Sequence, residues 1–107
     1  MTDYTYSGFE NSITAEHLKN GEICKVTGIG NSMTPILKSR QAVICSPVTD
    51  DTILEKRDIV LCYVRGHYYL HLIKAIKNDS YLIGNNHGRI NGWTPRKNVF
   101  GKVIEIL

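Results

Sequence analysis

The most informative hydroxyl in the chain lies in the run Gly30-Asn31-Ser32-Met33-Thr34-Pro35. It follows an Ile- and Val-containing segment, residues 23–29, which puts Ser32 on a turn directly after a predicted strand. Glycine before and proline after limit the shapes such a turn can take. A turn of that kind holds a hydroxyl proud of the surface and aims neighbouring backbone N–H groups at one point, as an oxyanion hole requires. On residue types alone, Ser32 reads as an ordinary turn serine. A serine becomes a nucleophile only beside a base. His71, in the largely apolar segment 67–76, reads on its own as a structural histidine hydrogen-bonded inside the sheet, near a packed interior or a cleft. With an unperturbed pKa of roughly 6.5, a histidine accepts a proton near neutral pH without special help.

Other chemistries fit less well. His67 and His71 lie on one strand, about 13 Å apart at ~3.3 Å per residue, too far to share an ion. Neither they nor His87 makes a close pair with Cys24, Cys45 or Cys62, and no Cys-x-x-Cys occurs, so no metal or other cofactor is expected. The cysteines are odd in number, widely spaced and set in apolar runs, which reads as reduced core thiols. Tyr68, Tyr69, Tyr81 and Trp93 are available to stack on single-stranded nucleic acid, but no basic cluster lies beside them. The net charge of +3 is scattered, and the densest basic stretch, 89–97, reads as a solvated loop.

Positioning Ser32 and His71 falls to a mainly β body. Predicted strands cover 23–29, 41–48, 58–64, 67–76, 81–84 and 98–107, the last with a bulge at Gly101. Arg65-Gly66 suits a two-residue hairpin turn. With that turn, Val64 faces His67 and Val60 faces His71. His67, Tyr69, His71, Ile73 and Ala75 then share one face, while Lys74 falls on the other. Residues 85–96, including Trp93, read as a long polar loop. The first twenty residues form a separate N-terminal unit: a loose arm over 2–10, then a short helix over 12–19, capped by Ser12 and stopped by Asn20-Gly21. Residues 21–107 form the single main domain, since 107 residues leave no room for a second. No apolar run approaches the roughly 18–20 residues of a membrane span, and no leader pattern opens the chain, so the expectation is a cytoplasmic protein.

The motifs also carry a resemblance. Gly30-x-Ser32-Met33-x-Pro35 resembles the nucleophile motif of the serine peptidases that include signal peptidases and the self-cleaving LexA-like repressors. The likeness continues in chain order. Lys56-Arg57-Asp58-Ile59-Val60 is similar to the family's lysine-glycine-aspartate-hydrophobic strand start, with Arg57 in place of glycine. Tyr69-Leu70-His71-Leu72-Ile73 is similar to the strand bearing the base. Leu82-Ile83-Gly84-Asn85-Asn86 resembles the glycine-aspartate-asparagine loop, and Val99-Phe100-Gly101-Lys102-Val103 the closing strand. The likeness spans roughly residues 21–107.

That resemblance implies a coiled antiparallel β-barrel with a short N-terminal helix. It implies Ser32 as nucleophile and, because histidine replaces lysine at the base position, His71 as general base in the Ser–His branch. The aspartate of that branch is missing. Asn85 or Asn91 stands in as the orienting group, and Leu72 stands where arginine is common. A substrate bound as an extended strand is implied, with a small residue before the cut. Self-cleavage would target Ser7-Gly8 or Asn20-Gly21. A standalone copy suggests a phage or mobile-element setting, with a dimer as one option for assembly. The competing expectation is a degenerate peptidase-like domain that binds a peptide or partner protein as a regulator.

Overall fold

The computed structural model describes residues 4–8 and 10–107. Among them, eight strands form one sheet, joined by a single α-helix: β1 (Tyr6–Gly8), α1 (Asn11–Lys19), β2 (Cys24–Thr27), β3 (Ala42–Pro47), β4 (Ile59–Val64), β5 (His67–Lys77), β6 (Ser80–Gly84), β7 (Ile90–Pro95) and β8 (Val99–Ile106). A 3₁₀ turn over Arg96–Asn98 links the last two strands. The strand order is β1-β2-β3-β8-β4-β5-β6-β7. The protein is therefore mainly β, as expected. The sheet does not close into a barrel, because β1 and β7 remain at its two ends. It is not wholly antiparallel either, since β1 runs parallel to β2.

The β4–β5 hairpin has the register expected from Arg65-Gly66: Val64 faces His67 and Val60 faces His71. Arg65 at φ 48° and Gly66 at φ 88° both take the left-handed conformation that matches a tight turn to the strands' twist. β4 is buried on both faces. Ile59 and Leu61 join the core under α1, with Leu18, Val26, Val43 and Phe100. Val60, Cys62 and Val64 join a second core with Ile73, Tyr81, Ile83 and Val99. Alternation along one strand thus feeds two apolar layers.

α1 begins one residue earlier than expected. Glu10 is its N-cap and Ser12 lies inside the first turn, where its hydroxyl donates to Glu10 Oε1 at 3.1 Å rather than capping backbone. The C-terminus stops at Asn20-Gly21 as expected. Gly21 N–H donates to Leu18 O at 3.0 Å and Glu22 N–H to His17 O at 3.0 Å, with Gly21 at φ 86°. This paired closure satisfies carbonyls that the helix end would otherwise leave open. The helix buries Thr14, Ala15 and Leu18.

Two further expectations are corrected. Part of the supposed N-terminal arm is β1, with Tyr6 opposite Cys24 and Gly8 opposite Val26; residues 2, 3 and 9 of that arm lie outside the described residues. The supposed loop 85–96 contains β7, antiparallel to β6, with Trp93 opposite Leu82. The bulge expected at Gly101 falls on its neighbour: Leu61 faces Gly101 and Cys62 faces Val99, leaving Phe100 as the extra residue. Gly101 instead lets α1 approach, since a Cβ there would sit 2.6 Å from Leu18 Cδ1 and 3.3 Å from Cys45 Cβ.

Two outcomes follow. Gly101→Ala forces the buried Leu18 side chain aside and should cost about 1–3 kcal/mol in urea unfolding. Burial pushes the Cys45 and Cys62 thiols up to about 12, and burial together with the Glu22 carboxylate pushes Cys24 up to about 11. The thiolate is the reactive form. All three cysteines should therefore resist iodoacetamide at pH 8 in the native protein and alkylate in urea, as read by intact mass.

Candidate functional site

Ser32 stands in the loop that leaves β2. Gly30 takes φ 110°, a conformation open to glycine at little cost. Its N–H donates to Ser39 Oγ at 3.0 Å, and Arg40 N–H donates to Gly28 O at 2.8 Å, closing the loop at its base. Met33 and Leu37 anchor the loop in the core under α1. Thr34 Oγ1 donates to Asn31 O at 2.9 Å, and the Thr34–Pro35 peptide is cis. Ser32 itself is exposed. Among the described residues, the N–H groups of Asn31, Ser32 and Met33 make no hydrogen bond.

The turn between β6 and β7 clamps this loop. Asn86 N–H donates to Ser32 O at 2.9 Å, and Asn86 Nδ2 donates to Thr34 O at 2.8 Å. His87 Nε2 lies 2.9 Å from Thr34 Oγ1 and 3.0 Å from Asn31 O. Sequence reasoning gave neither residue this task. Asn86 entered only as part of a motif, and His87 only as a discarded metal ligand. Asn85 serves inside the turn: its Oδ1 accepts from His87 N–H at 2.8 Å and Arg89 N–H at 3.0 Å.

His71 lies on the half of β5 that pairs only with β4, because pairing to β6 begins at Leu72. Its Nε2 is 3.2 Å from Ser32 Oγ, and its Nδ1 is 2.7 Å from Asn91 Oδ1. Of the two candidate asparagines, Asn91 reaches the imidazole and Asn85 does not. A β-bulge explains why. Ile83 faces Gly92 and Gly84 faces Ile90, so Asn91 is the extra residue, outside the ladder, at a place where a bulge re-aims a side chain. An amide oxygen only accepts, so it fixes the proton on Nδ1 and leaves the Nε2 lone pair for the serine hydroxyl. Tyr69, two residues along, stacks on the imidazole with ring centres 4.8 Å apart. His67 is exposed at the strand's start. Lys74 sits at a second bulge, between Ile73 and Ala75, and packs over Gly84.

The surroundings keep His71 neutral. It is only 8% exposed. Burial lowers its pKa below the ordinary value of 6.5; the hydrogen bond to Asn91 opposes that, and the positive charges of Arg89 and Lys74 add to it. The side chain is thus a free base at pH 7. Ser32, His71 and Asn91 open onto a cleft of about 500 Å³. Residues 28–30 leaving β2 and residues 68–71 of β5 contribute to its lining. The two candidate self-cleavage bonds are held elsewhere: Ser7-Gly8 within β1, and Asn20-Gly21 in the hydrogen-bonded end of α1.

Titration by NMR should place the His71 midpoint below 6.5. Arg89→Gln should move it upward by removing a nearby positive charge, and an unchanged midpoint would count against that electrostatic contact. Comparison with known families, curated proteins and solved structures returns no match, which leaves the arrangement of Ser32, His71 and Asn91 as the ground for assigning chemistry to this chain.

Proposed function

We propose that this chain is a small serine peptidase of the kind the sequence resembles, working through Ser32, His71 and Asn91. The observation that carries the reading is the bridging imidazole, 3.2 Å from the hydroxyl and 2.7 Å from the amide oxygen. In the reaction, Ser32 Oγ attacks a peptide carbonyl as His71 Nε2 takes its proton. The carbonyl oxygen gains the negative charge, and the unengaged N–H groups of the Ser32 loop are the donors available to hold it. His71 then gives the proton to the leaving amine, the C–N bond breaks, and an acyl-serine remains. Water, deprotonated by the same imidazole, releases the acid and restores Ser32. Asn91 holds the productive tautomer but, being neutral, does not offset the imidazolium charge.

Further features fit the LexA- and signal-peptidase-like reading. Arg57 stands where that family carries glycine, and its φ is 80°, a conformation glycine adopts readily. The segment 67–71, unpaired on one side beside the cleft, offers backbone groups to an extended substrate strand. No helix among the described residues is long and apolar enough to cross a membrane. A second reading draws on Asn91: the same cleft binds a peptide or partner without turnover, as a regulator.

The test is cleavage of a diverse peptide library at about pH 8 by the wild type and by Ser32→Ala, read by mass spectrometry. Cuts should appear only with the wild type, and His71→Ala should lose about 10³-fold or more. Protonated His71 cannot take the serine proton, so kcat/KM should fall as pH drops through the His71 pKa. That limb should lie below pH 6.5. Asn91→Asp should raise the rate about tenfold or more and shift the limb upward, since a carboxylate stabilises the imidazolium. Peptide affinity equal in wild type and Ser32→Ala, with no cuts by either, would select the regulator.

A further inference from the structure

The described residues lining the cleft include two cations, Lys38 and Arg89, and no carboxylate. Elsewhere three acidic side chains have basic partners: Glu16 pairs with Lys19, Glu22 with His17 and Asp58 with Lys102. Lys38 and Arg89 do not. Among the described residues, neither side chain forms a hydrogen bond or an ion pair. Their backbones are nonetheless pinned. Lys38 N–H donates to Gln41 Oε1 at 3.0 Å while Lys38 O accepts from Gln41 N–H at 3.0 Å. Arg89 N–H donates to Asn85 Oδ1 at 3.0 Å while Arg89 O accepts from Asn85 N–H at 2.9 Å. Two positive side chains on fixed stems thus border the cleft that holds Ser32 and His71, and no carboxylate lines that cleft or pairs with them among the described residues.

Solvated surface cations are ordinary, and their positions usually carry no message. These two differ in sharing one concave site without a counter-charge. In a cleft, charge of one sign raises the local concentration of ligands of the other. A guanidinium also matches a carboxylate in shape, giving two parallel hydrogen bonds.

We propose that the cleft selects peptides bearing a carboxylate near the residue held at Ser32, with Arg89 and Lys38 as its anchors. The inference rests on the peptidase reading only for placing a peptide in the cleft. The carboxylate has two sources, an Asp or Glu side chain or the free end of a peptide.

The experiment uses Ser32→Ala, which binds without cutting. Hexa-alanine peptides carrying an uncharged boron-dipyrromethene dye and an amidated end bear one Glu, Gln or Lys at each position in turn, and a matching set ends in a free carboxylate. Anisotropy at low salt should show at least one Glu or free-end peptide binding about fivefold tighter than its Gln or amidated counterpart. That advantage should vanish at about 0.5 M salt and in the Arg89→Gln or Lys38→Gln background. The position giving the gain identifies the source. Equal binding of Glu and Gln peptides, tighter binding of Lys peptides, a preference untouched by both variants, or no binding of any peptide would overturn the proposal. Labelling of wild-type Ser32 by a fluorophosphonate separates the two readings. Labelling without charge preference sinks the carboxylate proposal alone. Charge preference without labelling sinks the peptidase reading alone.

Discussion

The Arg65-Gly66 turn decides which residues of β4 and β5 face one another, and the cleft inherits its geometry from that choice. β4 and the inner part of β5 are apolar on both faces, so side-chain pattern alone penalises a one-residue slip only weakly. The turn supplies the missing constraint, because a two-residue connection with both φ angles positive admits one register. A slip by one residue would turn His71 away and present Leu70 or Leu72 to Ser32. Burial of Val60, Cys62 and Val64 in one core and of Ile59 and Leu61 in the other then locks the chosen register.

A second element ties the two reacting groups together. The run from Asn85 to Asn91 reaches the serine loop at one end, through Asn86 and His87, and the imidazole at the other, through Asn91. Nucleophile and base come from strands far apart in the sheet order, β2 and β5, so no local pairing fixes their separation. One short segment bonded to both does. A change in this turn, even away from the cleft, would move both partners of the 3.2 Å contact.

The parts of this arrangement legible in the sequence obey short-range rules. Hairpin phasing, the Asn20-Gly21 helix end and the serine on a post-strand turn each depend on a few adjacent residues. β7 was hidden because its pattern is broken twice. Asn91 bulges out of the ladder, and Gly92 holds no side chain where a Cβ would meet Arg65 Nε at 2.8 Å. The choice between Asn85 and Asn91 depended on that bulge, so spacing could not settle it. β1 was missed because three paired residues carry too little alternation to read as a strand. The Ser12 cap failed on a shift of one residue, which capping preferences alone do not resolve. That the sheet stays open is a property of its two end strands, and no local run encodes it.

The half-paired length of β5 has a further consequence, for how copies of this chain tolerate one another at high concentration. A strand with a bare row of N–H and C=O groups invites another strand to pair, including the same strand of a neighbouring molecule. Such self-pairing would bring two copies of the same cleft face to face. Each carries Lys38 and Arg89 without a counter-charge, so the encounter sets like charges against like. The same cations would thus act as gatekeepers against clumping, and their deterrent would weaken as dissolved ions screen it. Resistance of this strand to self-pairing and attraction of an anionic ligand to the cleft are, on that account, two sides of one distribution of charge.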